Sequence, residues 1–89
     1  MAHVEVDPEE LLLFANQLQS FDKAVEDALK TLGSQFAHLS NTWRDQKQRD
    51  FSDSLQMITA QFGEFSKESE DMQARLRAAA EDLKSYEQR

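Results

Sequence analysis

The side chains in this sequence that could do covalent or acid–base chemistry are few and badly spaced for it. The two histidines, His3 and His38, have no second His at ligand spacing, and the chain has no Cys. No zinc-type ligand set, disulfide or thiol nucleophile follows. Carboxylates are plentiful (Glu9, Glu10, Asp22, Glu26, Asp27, Glu68, Glu70, Asp71, Glu81 and Asp82). They fall between the apolar positions, on faces expected to be solvated, with no apolar cleft to raise a pKa for general acid work. The serines have no positioned base, and there is no Gly-rich phosphate loop. Arg44, Lys47 and Arg49 could meet a phosphate or an acidic partner, but Asp45 and Asp50 stand beside them as internal partners. The expectation is therefore no catalytic, cofactor-binding or metal-binding residue. The chemistry left is that of contact, carried by six Phe and the single Trp.

The elements that hold those aromatics are helical. In Val6-Asp7-Pro8-Glu9-Glu10-Leu11, Asp7 suits an N-cap, Pro8 the first helical position, and Glu10 the carboxylate of a capping box. Val6 and Leu11 sit at the two ends of a hydrophobic staple. From there Leu11, Phe14, Leu18, Phe21, Val25, Ala28, Leu32 and Leu39 recur at steps of three and four, with Leu29 and Phe36 beside them. Gly33 costs about 1 kcal/mol relative to Ala in a helix interior, yet the pattern continues past it. One helix is predicted over about residues 8–40. Ser40, Asn41 and Thr42 favour a break, giving a turn over 41–45, where Asp45 and Gln48 have capping-box spacing.

A second stripe, Phe51, Leu55, Ile58, Phe62, Phe65, Met72, Leu76, Ala79, Leu83 and Tyr86, predicts a helix over about 46–87, with Ser69 its one polar position. A short turn makes the two helices antiparallel. Folding about Trp43 sets Leu32 near Ile58, Val25 near Phe65, Leu18 near Met72 and Leu11 near Ala79. On this reading the whole chain, 1–89, is a single all-α helical-hairpin domain, and Phe21→Asp or Phe65→Asp would unfold it by placing a charge in the seam.

One seam between two helices encloses six Phe poorly. Ordering some eighty residues, at about 1–2 kcal/mol each, leaves a small scaffold near balance. A second hairpin docked on the first, as a homodimer or with a paired partner, would give a four-helix bundle. Leu29, Phe36, Phe62 and Phe65 are the interface candidates. A net charge of −7 argues against nucleic acid and anionic membrane surfaces. No apolar run reaches the roughly 20 residues of a membrane helix, and the first residues lack the pattern of a cleaved signal peptide. A cytoplasmic location is expected, with any export needing another signal. Trp43, at the turn, could close the hairpin over Leu39 and Phe51 or anchor a partner.

With these residues in place, the chain resembles the WXG hairpin family, the small ESAT-like substrates of type VII (ESX) secretion. The match is carried by Leu39-Ser40-Asn41-Thr42-Trp43-Arg44-Asp45, followed by Phe51 and Leu55. The resemblance implies a dimeric four-helix bundle, no catalysis, and export without a cleaved signal peptide. It further implies a pairing of the turn Trp with a C-terminal Tyr-x-x-x-Asp/Glu signal, and partners such as a larger secreted toxin or an export ATPase. Trp43 takes the Trp position, Asp45 stands where the motif has Gly, and Tyr86 falls at the Tyr of the signal, with no acidic residue four positions on in this sequence. Trp43, Asp45 and Phe51 are thus the expected recognition residues at the turn. A filament or needle subunit, or a small cytosolic adaptor or secretion chaperone, would share the same helical outline.

Overall fold

The computed structural model describes residues 6–87, which form two α-helices: α1, Pro8–Leu39, and α2, Gln46–Glu87. His3, like the rest of residues 1–5, lies outside the described residues, as do 88–89. Among the described residues there is no strand. The helices run antiparallel as a rod of 66 × 23 × 17 Å.

Each helix begins where a side chain satisfies its first free N–H groups. Asp7, in extended conformation, accepts the Glu9 N–H at 2.9 Å, and Pro8 follows at the first position, where its missing donor costs nothing. At the far end the Ser40 hydroxyl and amide both donate to the Phe36 carbonyl. The Thr42 and Trp43 amides donate to the Leu39 carbonyl. Asp45 then caps α2 by accepting the Gln48 N–H at 3.0 Å. Gln48 does not complete a reciprocal capping box; its side-chain amide donates to Ser40 Oγ at 2.7 Å. That bond ties the start of α2 to the end of α1 and fixes the turn.

The cross-links between the helices agree with folding about Trp43. Asp22 meets Ser69 and Gln73, Arg77 meets Asn16 and Gln19, and Glu9 meets Lys84 at 2.8 Å. The rotation of the helices differs from the sequence-based expectation. On α1 Pro8, Ala15, Asp22, Leu29 and Phe36, spaced by sevens, are covered or half-covered, and of the expected stripe Leu11, Leu18 and Val25 are half-covered beside them. On α2 Leu55, Phe62, Ser69, Leu76 and Leu83, again by sevens, are covered or half-covered, with Gln73 and Ala80 buried beside them. The other half of the apolar stripe faces water. Phe14, Phe21, Leu32 and Leu39 on α1, with Phe51, Ile58, Phe65 and Met72 on α2, are each 43–56% exposed.

Two helices touch along one line, and a stripe spanning both a and d positions is wider than that line. One half is shared between the helices and the other half is left outside.

The interior that results is small and partly polar. Ala15 and Ala80 are fully covered, and Ser69 and Gln73 are 2% and 9% exposed. Asp22, expected on a solvated face, instead sits in this layer. Its Oδ2 accepts from the Ser69 hydroxyl and, at 2.9 Å, from the Gln73 amide, while its Oδ1 is buried without a hydrogen-bond partner. The larger apolar side chains are half-covered at both ends, Leu29, Phe36, Leu55 and Phe62 towards the turn and Leu11, Leu18, Leu76 and Leu83 towards the other end.

Candidate partner-binding surface

The feature that stands out chemically is the exposed apolar face. Residues seven apart share a side of a helix to within about 20°. Phe51, Ile58, Phe65 and Met72 therefore form one row on α2, and Phe14, Phe21, Leu32 and Leu39 lie along α1. The rows meet across the hairpin where Phe21 and Phe65 pack edge to face, 5.9 Å apart at an interplanar angle of 79°. Phe62 leans on Phe65 from the interior at 6.1 Å. Towards the turn the face opens into a groove of about 380 Å³ lined by Leu32, Phe36, Leu39, Trp43, Phe51 and Ile58.

Trp43, Asp45 and Phe51, the recognition residues expected at the turn, come together here. The half-buried Trp43 ring lies 5.8 Å from that of Phe51. Asp45 holds its carboxyl below the usual carboxylate range, chiefly through the Gln48 amide it caps and next through a hydrogen bond from the Trp43 side chain. One carboxylate thus caps α2 beside the indole. Tyr86, 76% exposed, stands at the opposite end of the rod, so one hairpin does not bring it to Trp43.

The four interface candidates do not form one patch. Phe65 lies on the apolar face and Phe36 lines its groove, but Leu29 and Phe62 line a separate groove on the other side of the hairpin. The residues left out of that set, Phe14, Phe21, Leu32, Leu39, Ile58 and Met72, carry most of the exposed face. Their signal in the sequence is the strict interval of seven along α2.

Of the basic residues near the turn, Arg49 is engaged locally: it donates to Gln46 Oε1 at 2.9 Å, and Gln46 donates to Asp50. Among the described residues no three His, Asp or Glu side chains gather as a metal site would need, and no helix is long and apolar enough to cross a membrane.

Comparison with known proteins gives both fold and family. The chain is similar to the crystal structure of the selenomethionine-labelled secreted protein EsxB from Bacillus anthracis str. Sterne. The TM-score is 0.83 at 17% identity, covering 98% of this chain and 99% of that one. Two single-substitution variants of the same protein match with TM-scores of 0.82 and 0.84, at 18% and 17% identity. They cover 94% and 98% of this chain and 97% of theirs in each case. At such identities the likeness establishes the helical hairpin. No curated protein sequence matches. The family model WXG100, proteins of 100 residues with WXG, matches residues 3–88, with Asp45 in place of the Gly that gives the motif its last letter. The chain, read over nearly its whole length, belongs to the WXG100 family.

Proposed function

We propose that this protein is a non-enzymatic protein-binding module of type VII-like secretion. It pairs with a second hairpin through the exposed apolar face and is itself an export substrate or the escort of one. The observation that carries this reading is the row of eight half-exposed apolar side chains running from the turn along α1 to Phe14 and along α2 to Met72. Fully burying such a side chain contributes about 1.5–3 kcal/mol, so covering the exposed halves on two hairpins yields on the order of 12–24 kcal/mol. Association costs roughly 4–15 kcal/mol. A matching apolar face leaves a surplus, and the closed product is a four-helix bundle.

The secreted EsxB resemblance and the family membership support the export half of the reading. An antiparallel partner would also set its own tail beside Trp43, joining the two ends that a single hairpin keeps apart.

Sedimentation equilibrium on the purified chain, alone and with candidate hairpin partners, tests the pairing. A fixed mass of two hairpins is expected. A monomer at every concentration and with every partner would remove the basis for the proposal, and unbounded growth would favour a filament subunit. Blotting of culture supernatant from the native host tests export of the chain or of its partner.

A further inference from the structure

A second groove lies on the side of the hairpin turned away from the apolar face. Two residues along a helix are about 200° of rotation, so Lys23 and Lys30 point away from Phe21 and Leu32. The turn-side half of this groove has a volume of about 570 Å³ and is lined by Leu29, Gly33, Leu55, Ala60 and Phe62. The other half is a polar trough of about 750 Å³ holding Asp22, Glu26, Asp27 and Glu70 with Lys23, and Lys30 pairs with Glu26 at its edge. Glu26 lines both halves, which adjoin at its side chain. From Gln19 to Gly33 it follows α1 for about 21 Å, roughly four helical turns.

Two features of this channel have no explanation within the hairpin. Gly33 weakens a helix interior, yet no glycine here has a positive φ, and a Cβ added at Gly33 would meet nothing within 4 Å. Neither its backbone nor its neighbours in the hairpin require a glycine. A bare backbone at that point does provide a low floor for something approaching from outside. The second feature is Asp22, whose Oδ1 is buried and without a hydrogen-bond partner. The nearby cations pair with carboxylates of the channel itself, Lys23 with Asp27 at 3.2 Å and Lys30 with Glu26 at 3.1 Å, which leaves Asp22 and Glu70 without a cation among the described residues. Four carboxylates against two lysines leave the trough negative.

We propose that this channel is a docking site for a helix of another protein, apolar at one end and basic at the other. Its apolar turns lie on Gly33, Ala60 and Phe62, and its Lys or Arg side chains run along Asp22, Glu26, Asp27 and Glu70. Charge complementarity selects this occupant over a second copy, which brings its own charge of −7 to an acidic trough. The site is separate from the pairing face: Leu55 is the one residue lining both this channel and the groove at the turn. A paired hairpin and a docked helix can be held at once.

The test uses the full chain, isotope-labelled, and a synthetic helical peptide of about 18 residues with Leu and Ala in one half and Lys and Arg in the other. Amide shifts are expected at Gly33, Ala60, Glu26 and Gln73. Binding should weaken at least about tenfold in Gly33→Leu, which fills the groove, and in Glu26→Lys/Glu70→Lys. Gly33→Leu replaces the poorest non-proline helix former by a good one, and circular dichroism checks that it stays helical. Three results each overturn the proposal: no binding at millimolar peptide, equal binding by a version with Glu in place of Lys and Arg, or shifts confined to the Phe51–Phe65 face.

Discussion

Phe21 and Phe65 meet edge to face across the two helices, 5.9 Å between ring centroids, while 53% and 43% of their surfaces remain open to water. They bridge the helices and at the same time form the middle of the uncovered face. An Asp at either position is therefore solvated in a single hairpin, which loses the ring pair, worth about 0.5–1.5 kcal/mol. In a paired bundle the same charge is buried at a cost of several kcal/mol. The expected outcome for Phe65→Asp is retained helical circular dichroism with loss of pairing in sedimentation, in place of the unfolding expected from sequence. A variant that keeps the paired mass would show that this face is not the interface.

Gly63 offers a cleaner stability measurement. It lies inside α2, exposed, without positive φ, and a Cβ there meets nothing within 4 Å. Gly63→Ala should stabilise the helix by about 1 kcal/mol, which in a chain of this size raises the thermal midpoint by roughly 4–8 °C. A fall in midpoint would place Gly63 against a partner in the assembled state.

The helices were legible because their signals are local. Asp7-Pro8 and Asp45 cap the helices they precede, and Trp43 marks the turn between them. What periodicity does not encode is which side of an apolar stripe belongs to the chain's other helix and which is left for a partner. The interval of seven through Phe51, Ile58, Phe65 and Met72 is as regular as that through Leu55, Phe62, Ser69 and Leu76. Residue size gave the wrong impression: the bulky Phe row looks like the core, while Ala15 and Asp22 look like surface. The small residues are inside because close-set helices leave space for little else. Asp22 was missed because its partners, Ser69 and Gln73, are 47 and 51 residues away in sequence.

The polar layer makes a prediction of opposite signs. Asp22→Ala leaves the buried Ser69 hydroxyl without an acceptor and the Gln73 amide with only its 3.2 Å bond to Ser69 Oγ, and a buried orphan costs about 1–3 kcal/mol. Replacing all three residues by Asp22→Leu, Ser69→Ala and Gln73→Leu removes every polar group at once and should be neutral or stabilising by about 1–4 kcal/mol. Urea denaturation of both variants at one protein concentration measures the pair. If both lose stability equally, apolar side chains do not fit between Ala15 and Ala80, and space rather than polarity governs the layer.

Asp45 stands where the family motif has Gly, and its role can be read through the single Trp of the chain. Its carboxyl is lowered by the Gln48 amide first and by the Trp43 side chain second. A carboxylate whose pKa is lower folded than unfolded contributes stability that is fully present above its unfolded value, near 3.9. That contribution is lost as pH falls through the folded value. Trp43 emission should accordingly hold constant from neutral pH down past the ordinary carboxylate range and change only below it. In Asp45→Asn the amide still offers a cap oxygen but does not titrate, so that acid transition should disappear while the neutral-pH spectrum stays close to native. Asp45→Gly removes both bonds, and Trp43 should then become more mobile, with lower fluorescence anisotropy at neutral pH. An unchanged acid transition in Asp45→Asn would assign it to another carboxylate and leave Trp43 held by Phe51 alone.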